Sequence, residues 1–449
     1  MITNLKDLPQ IGKLLESKEF STLNEKSVKK IAQKILDSLR DDVKNSKPIA
    51  TTHEDIKSQI LSEYELLKTP SMTPLINATG IVIHTNLGRA PISKEILLSA
   101  AECAEGYCNL EYDVKAGKRG DRYGHLTKLA SFLFGCEDIL LVNNNAAAVF
   151  LVLNTFSNKK QTVVSRGELV EIGGGFRIPE VMANSGAKLV EIGTTNKTRI
   201  KDYENAISEK SAILMKVHRS NFVIKGFSED TEYCEIVKLA KDKNLIDYYD
   251  VGSVNASSIK KHALKNEPDI YELMKLNPSI VSFSADKLFG GIQAGIILGK
   301  KELIAKLKKN QLLRMLRCDK MTLAVVERTM LEYAFGNEEN ITSIGMLAST
   351  QTQLEEKANN ILAKLENKKS YKIVETSGFV GGGSLPEEQI PSVAIAIKSK
   401  LKPQKIEKIL RDKGVISRIE NEKVVLDVRT ICVSDESKLI SILNGCDFE

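Results

Sequence analysis

The chain encodes an α/β fold built on a mostly parallel sheet, and three observations predict it. Between residue 75 and about residue 335, seven short β-rich runs occur, at 139–142, 162–165, 188–192, 212–217, 245–249, 280–283 and 296–298. Most are separated by stretches with helical patterning, as in a parallel sheet covered on both faces. With 449 residues, 42% hydrophobic and 27% charged, the chain is long enough for two or three domains around a large buried core.

Before that region, residues 1–70 hold no convincing strand. Apolar residues recur at helical spacing over 11–15, 25–39 and 53–67. Pro48 and Pro70 mark breaks, and the segment 69–74 reads as a linker. A small N-terminal helical domain is expected over 1–70, and a large α/β domain over 75–335. From 340 to 449, strand-like runs at 371–374, 393–397, 415–419 and 424–428 alternate with helical 403–413 and 436–443. These predict a small C-terminal α/β domain.

Composition excludes several functions. Trp is absent and aromatics make up 5%, which argues against stacking platforms for single-stranded nucleic acid. Five scattered histidines and seven scattered cysteines give no zinc-like spacing, so no metal is expected. The odd cysteine count fits a reducing compartment. The N-terminus lacks a signal pattern and no apolar run could span a bilayer, so the expected location is cytoplasmic, with no membrane partner. Net charge is +6, and residues 300–330 hold nine Lys+Arg against three Asp+Glu. Lys300, Lys301, Lys306, Lys308 and Lys309 are read as a solvated helix face.

The chemistry concentrates at strand ends, where open sheets bind ligands. Lys287 follows the run 280–283 and is succeeded by Gly290, Gly291 and a further strand-like run. Burial lowers a lysine's pKa and frees its lone pair for a Schiff base with an aldehyde. Asp250 ends the run 245–249, 37 residues earlier. A strand-end carboxylate can keep a pyridinium nitrogen protonated, so that the ring accepts electrons from a carbanion. Asn143, Asn144, Asn145 and Ala146 follow the first strand-like run and open a helix. Small residues there leave first-turn N–H groups free for a phosphate, and the asparagines can cap the helix or donate. A phosphate cup, a ring-nitrogen Asp and a Schiff-base Lys, in that order, describe pyridoxal 5'-phosphate on a fold-type-I scaffold.

Arginines form the next layer. Arg314 and Arg317, three apart, are expected on one helix face. Arg89 lies in a loop, and Lys118, Arg119 and Arg122 lie in a basic segment. As a group they suit a second phosphate-like anion, which guanidinium groups grip bidentately.

The whole chain resembles the bacterial selenocysteine synthase family, the L-seryl-tRNA(Sec) selenium transferases. The resemblance rests on Ile76-Asn-Ala-Thr-Gly-Ile-Val-Ile-His-Thr-Asn-Leu-Gly-Arg-Ala-Pro91, Gly117-Lys-Arg-Gly-Asp-Arg122, Val142-Asn-Asn-Asn-Ala-Ala-Ala148 and Ser165-Arg-Gly-Glu-Leu-Val-Glu-Ile-Gly-Gly174. It extends to Phe283-Ser-Ala-Asp-Lys-Leu288, Leu316-Arg-Cys-Asp-Lys-Met-Thr-Leu323 and Gly381-Gly-Gly-Ser-Leu-Pro386. It implies that Lys287 carries the cofactor and that a seryl-tRNA loses its α-proton and water to give aminoacrylyl-tRNA. Selenium from selenophosphate then adds at the β-carbon. It further implies that Arg89, Arg314 and Arg317 bind the selenophosphate anion and that Asp286 is the active-site acid. Segment 1–70 would bind tRNA(Sec), and the subunits would form a ring-shaped homo-oligomer, a decamer. Ala285 and Val254 depart from the small residues common in the family. Segment 1–70, with 12 Lys+Arg against 11 Asp+Glu, is less basic than a tRNA-binding module suggests.

A related lyase acting on a free amino acid or amino sugar phosphate is the competing reading. For a free amino acid it would need an arginine for the α-carboxylate, with Arg429 or Arg418 as candidates. A tRNA-binding protein without catalysis, and a dinucleotide enzyme using the glycines at 173–175 or 381–383, are weaker ones. The paired Asp250 and Lys287 argue against the first, and the lack of Gly-x-Gly-x-x-Gly after a strand against the second.

Overall fold

The computed structural model describes residues 5–45, 51–173, 175–224, 226–258, 264, 267–381 and 384–448, without the side chains of Phe176 and residues 384–388. Pro48, Gly174, His262, Gly382 and Gly383 lie outside the described residues. The chain divides into two compact units, Met1–Pro74 and Leu75–Glu449.

The first unit is helical: α1 is Ile11–Leu15, α2 Glu25–Lys44 and α3 His53–Lys68. Val28, Ile31, Ala32, Ile35 and Leu36 repeat at three- and four-residue spacing along α2 and pack with Leu14, Phe20, Ile56 and Ile60. Asn24 caps α2 by accepting from Ser27 N (3.1 Å), and Thr52 with Asp55 forms a reciprocal capping box on α3. Apolar spacing ended this second helix near residue 39. It continues to Lys44 because Arg40, Asp41 and Asp42 propagate the ladder without needing the core.

In the second unit, β1 (Ile76–Asn77) and β2 (Ile81–Ile83) come first. The seven β-rich runs then form one seven-stranded sheet: β3 (Asp138–Val142), β4 (Gln161–Ser165), β5 (Lys188–Ile192), β6 (Ser211–Val217), β7 (Ile246–Gly252), β8 (Ile280–Ser284) and β9 (Gly295–Gly299). The spatial order is β3-β9-β8-β7-β6-β4-β5. All neighbouring pairs are parallel except those of β9, which runs antiparallel to both β8 and β3. β3, β8 and β9 are buried at every position, as a sheet covered on both faces requires. Alternate residues feed two cores. Ile139, Leu141, Val281, Phe283, Ile296 and Leu298 pack into one, and Leu140, Val142, Ile280 and Ile297 into the other.

The C-terminal strands are β10 (Tyr371–Gly381), β11 (Ser384–Ile397), β12 (Val415–Ile416), β13 (Arg418–Glu420) and β14 (Lys423–Asp427). They form a five-stranded sheet ordered β13-β14-β11-β10-β2, while β1 pairs with β12. The segment 76–83 therefore pairs with strands more than 280 residues downstream, which local patterning alone does not register.

Candidate active site

Six of the seven strands of the large sheet point the same way, so their carboxyl ends share one edge. Asp250, Lys287, His218 and the Asn143–Asn145 turn all lie there. The Asp250 carboxylate is 3% exposed, on β7. The pairing of β7 with β8 slips between Asp250 and Gly252. Such a bulge re-aims the side chains beside it. Gly252 has φ +67, and a Cβ there would sit 3.7 Å from Ser220 Oγ and 4.0 Å from Lys287 Nζ. The bulge and its left-handed glycine thus bring backbone close beneath the lysine amine.

Lys287 is 6% exposed, in the turn after β8. Burial lowers its pKa, reinforced by Arg89 and opposed by the charges of Asp250, Asp286 and Glu267. Burial raises Asp250 to about 6, while a hydrogen bond from Asn145 and the charge of Lys287 act the other way. A buried amine and a buried carboxylate with displaced pKa values mark a reactive pair.

The asparagine turn divides its labour in a way the sequence did not show. Asn144 is the N-cap of α4 (Asn145–Ser157), accepting from Ala147 N at 2.8 Å. Asn145 donates from Nδ2 to Asp250 Oδ1 at 2.7 Å, so its amide faces the carboxylate, not a phosphate. Its Oδ1 is buried without a hydrogen-bond partner among the described residues. Asn143 is tied by its backbone, donating to Leu316 O at 2.9 Å. The first helical bond of α4 runs from Ala148 N to Asn144 O, which leaves the N–H groups of Asn145 and Ala146 as the anion donors of this terminus. Gly295 keeps β9 against this turn: a Cβ there would collide with the Asn144 carbonyl.

The arginines separate into two groups. Arg89, at φ +66, donates from Nη1 to Asp286 Oδ2 at 2.6 Å, and Ala90 N donates to Asp286 O at 3.2 Å. Asp286, 6% exposed, is therefore engaged as an acceptor next to Lys287. Arg314, Arg317 and Arg119 meet elsewhere, around a cavity of about 300 Å³ also lined by Arg122, Lys308 and Lys309. They do not share a helix face. The helix is only Leu313–Leu316, and Arg317 is extended beyond it, bridged to Val142 of β3. Glu111 sits among these cations, 3.1 Å from Arg119, 3.0 Å from Arg122 and 3.9 Å from Arg317. Lys308 and Lys309, assigned above to a solvated face, line this pocket, with Lys308 bound to Asp138 at 2.8 Å.

Neither arginine proposed for a free α-carboxylate is available for one. Arg429 is 2% exposed and donates to the carbonyls of Met346 (2.6 Å), Pro391 (2.6 Å) and Ser349 (3.4 Å). Arg418 is bound to Asp427 and Glu420, both at 3.2 Å, and to Thr79 O.

Sequence reasoning missed His218, Ser220 and Glu267. His218 directly follows β6, the same strand-end position that singled out Asp250, and its N–H donates to Asp250 O at 2.9 Å. Strand-end logic applied evenly would have found it. In the first unit, Lys26, Lys29, Lys30 and Lys34 line one groove along α2 with Gln33 and Asp37. The near-neutral segment thus sorts its charge onto one helix face.

Sheet order, the strand-end lysine and its aspartate define a fold-type-I enzyme. Among solved structures, a D-glucosaminate-6-phosphate ammonia-lyase shares the fold at TM-score 0.57 and 19% identity, over 85% of this chain and 97% of that one. The family described as L-seryl-tRNA selenium transferase (SelA) matches residues 75–432. The L-seryl-tRNA(Sec) selenium transferase of Aliarcobacter butzleri (strain RM4018) is 51% identical over 442 residues, 98% of each chain. That of Nautilia profundicola is 50% identical over 98% of this chain and 97% of its own. The chain belongs to the L-seryl-tRNA selenium transferase family.

Proposed function

We propose that this chain converts L-seryl-tRNA(Sec) to L-selenocysteinyl-tRNA(Sec), with pyridoxal 5'-phosphate as cofactor and selenophosphate as selenium donor. The observation that carries the reading is half-identity over 98% of the chain to enzymes of that name, together with a buried Lys287 beside Asp250. The residues fit the cofactor. An orphaned Asn145 Oδ1, open first-turn N–H groups and a side-chain-free floor at Gly252 surround the amine.

The bound cofactor supplies an electron sink for the serine α-carbon. Lys287 would hold it covalently, and its lowered pKa favours the neutral amine that can take the α-proton. Asp250, held in place by Asn145, would meet the ring nitrogen and keep it protonated. The N–H groups of Asn145 and Ala146 would take its phosphate. Asp286 holds Arg89 beside the lysine, and it can deliver a proton to the departing hydroxyl only when that pair parts. Arg119, Arg314 and Arg317 form the pocket for the selenophosphate anion.

The lysine groove on α2 is the tRNA-binding surface of the N-terminal domain, read through phosphates and shape. The protein works as a homo-oligomeric ring, a decamer, in the cytoplasm. Leu98, Phe132 and Phe335, 58%, 73% and 71% exposed, are apolar surface that neighbouring copies would cover. No helix among the described residues is long and apolar enough to cross a membrane. The test is conversion of seryl-tRNA(Sec) in the presence of selenophosphate, with Lys287→Ala as control. Borohydride reduction of the loaded protein should place the mass tag on Lys287; a tag elsewhere, or no product, overturns the reading.

A further inference from the structure

Glu267 is a charged residue that nothing in the proposed reaction uses, yet it is 5% exposed and both its carboxylate oxygens lack a hydrogen-bond partner among the described residues. A buried carboxylate left that way is costly unless a cation answers it. The nearest candidate is His218, whose Nε2 is 3.8 Å from Glu267 Oε2 and is itself buried without a partner. Two orphaned groups of complementary capacity face each other just beyond hydrogen-bond length. A small side-chain rotation joins them.

His218 is placed to transmit that pairing. It leaves β6 next to Asp250 on β7, and its N–H donates to the Asp250 carbonyl at 2.9 Å. When His218 carries a proton, its charge favours the Asp250 carboxylate. Among the described residues, most of the other charged groups facing this cluster have partners of their own. Asn145 on α4 donates to Asp250, and Lys287 and Asp286 follow β8. Arg89 holds Asp286, Tyr249 lies on β7, and Lys216 on β6 is committed to Glu168 at 3.1 Å and Thr231 O at 2.8 Å.

We propose that Glu267 is a positioning residue of this active site: it holds His218 as an imidazolium beside the end of β7, and His218 in turn keeps Asp250 a carboxylate facing the cofactor ring nitrogen. The charges then alternate from Glu267 through His218 to Asp250. The inference rests on the pyridoxal phosphate reading.

The test is cofactor affinity against pH, measured by absorbance and fluorescence titration of the cofactor-free full-length protein with pyridoxal phosphate. No turnover is involved. Wild type should hold the cofactor evenly above neutrality and lose affinity as pH falls through the range in which Asp250 gains a proton. In Glu267→Gln that acid limb should move up by about half a unit or more, because His218 loses the partner that keeps it protonated and Asp250 loses the positive charge beside it. Below pH 6 affinity then falls by roughly threefold relative to wild type, the tenfold-per-unit factor for half a unit, and the two proteins converge by pH 8.5. Glu267→Asp, which keeps the charge, should stay closer to wild type than Glu267→Gln. His218→Gln should resemble Glu267→Gln, and the double variant should be no worse than either alone, because the two act in series. An unmoved acid limb in Glu267→Gln, a loss of affinity that is the same at every pH, or additive losses in the double variant would overturn the proposal. Failure of wild type to bind at any pH would instead overturn the cofactor reading.

Discussion

Replacing Asp250 by Asn should stabilise the cofactor-free protein while abolishing its use of the cofactor. Burial raises the Asp250 pKa from 3.8 to about 6. The folded state therefore holds this proton more tightly than the unfolded chain. Unfolding releases it between those two values, so stability falls as pH rises from 3.8 towards 6 and stays lost above. A displacement of that size corresponds to about 3 kcal/mol in the ionised state at pH 7. Asparagine avoids that cost and its Oδ1 still accepts from Asn145. The assay is denaturant unfolding of cofactor-free wild type and Asp250→Asn at pH values from 4 to 8. Near pH 4 the two curves should nearly coincide. By pH 7 the variant should be the more stable by up to about 3 kcal/mol, with cofactor affinity reduced at least tenfold. Parallel stability profiles across the range would refute the reasoning, since they would mean that Asp250 carries no burial cost.

Arg429→Gln should lower stability by about 3 kcal/mol, because three carbonyls, one of them buried, lose a charged donor; turnover of the folded fraction should show an unchanged KM for seryl-tRNA, and a raised KM would return this arginine to the substrate. Arg317→Ala should raise the selenophosphate KM roughly tenfold or more, in steady-state assays, and leave the cofactor spectrum intact. Lys29→Ala with Lys30→Ala should make tRNA affinity less salt-dependent, the log–log slope becoming shallower by about two units; an unchanged slope would remove the α2 groove from the interface.

The large sheet was legible because strands such as β3, β8 and β9 are buried on both faces and so appear as compact β-rich runs. All seven runs became strands of one sheet. The two short strands 76–77 and 81–83 were not, since their partners lie at 415–416 and 379–381, and no local periodicity encodes a pairing across such a distance. Lys287 and Asp250 stood out because strand-end position and chemistry coincide in one short segment. Asn145 was found but given the wrong neighbour: capping chemistry is local, whereas its bond to Asp250 spans 105 residues. His218 and Glu267 are separated by 49 residues, and nothing near either one in the sequence announces the other.

The residues by themselves determined the element types and singled out Lys287 and Asp250 at strand ends, since hydrophobic periodicity and side-chain chemistry are properties of short segments. Which arginines share a pocket, which carboxylate answers which cation and where charge gathers on α2 were decided only by the tertiary structure. Those facts depend on separations of a few ångströms between groups far apart along the chain, and chain closure, packing and desolvation set those separations together.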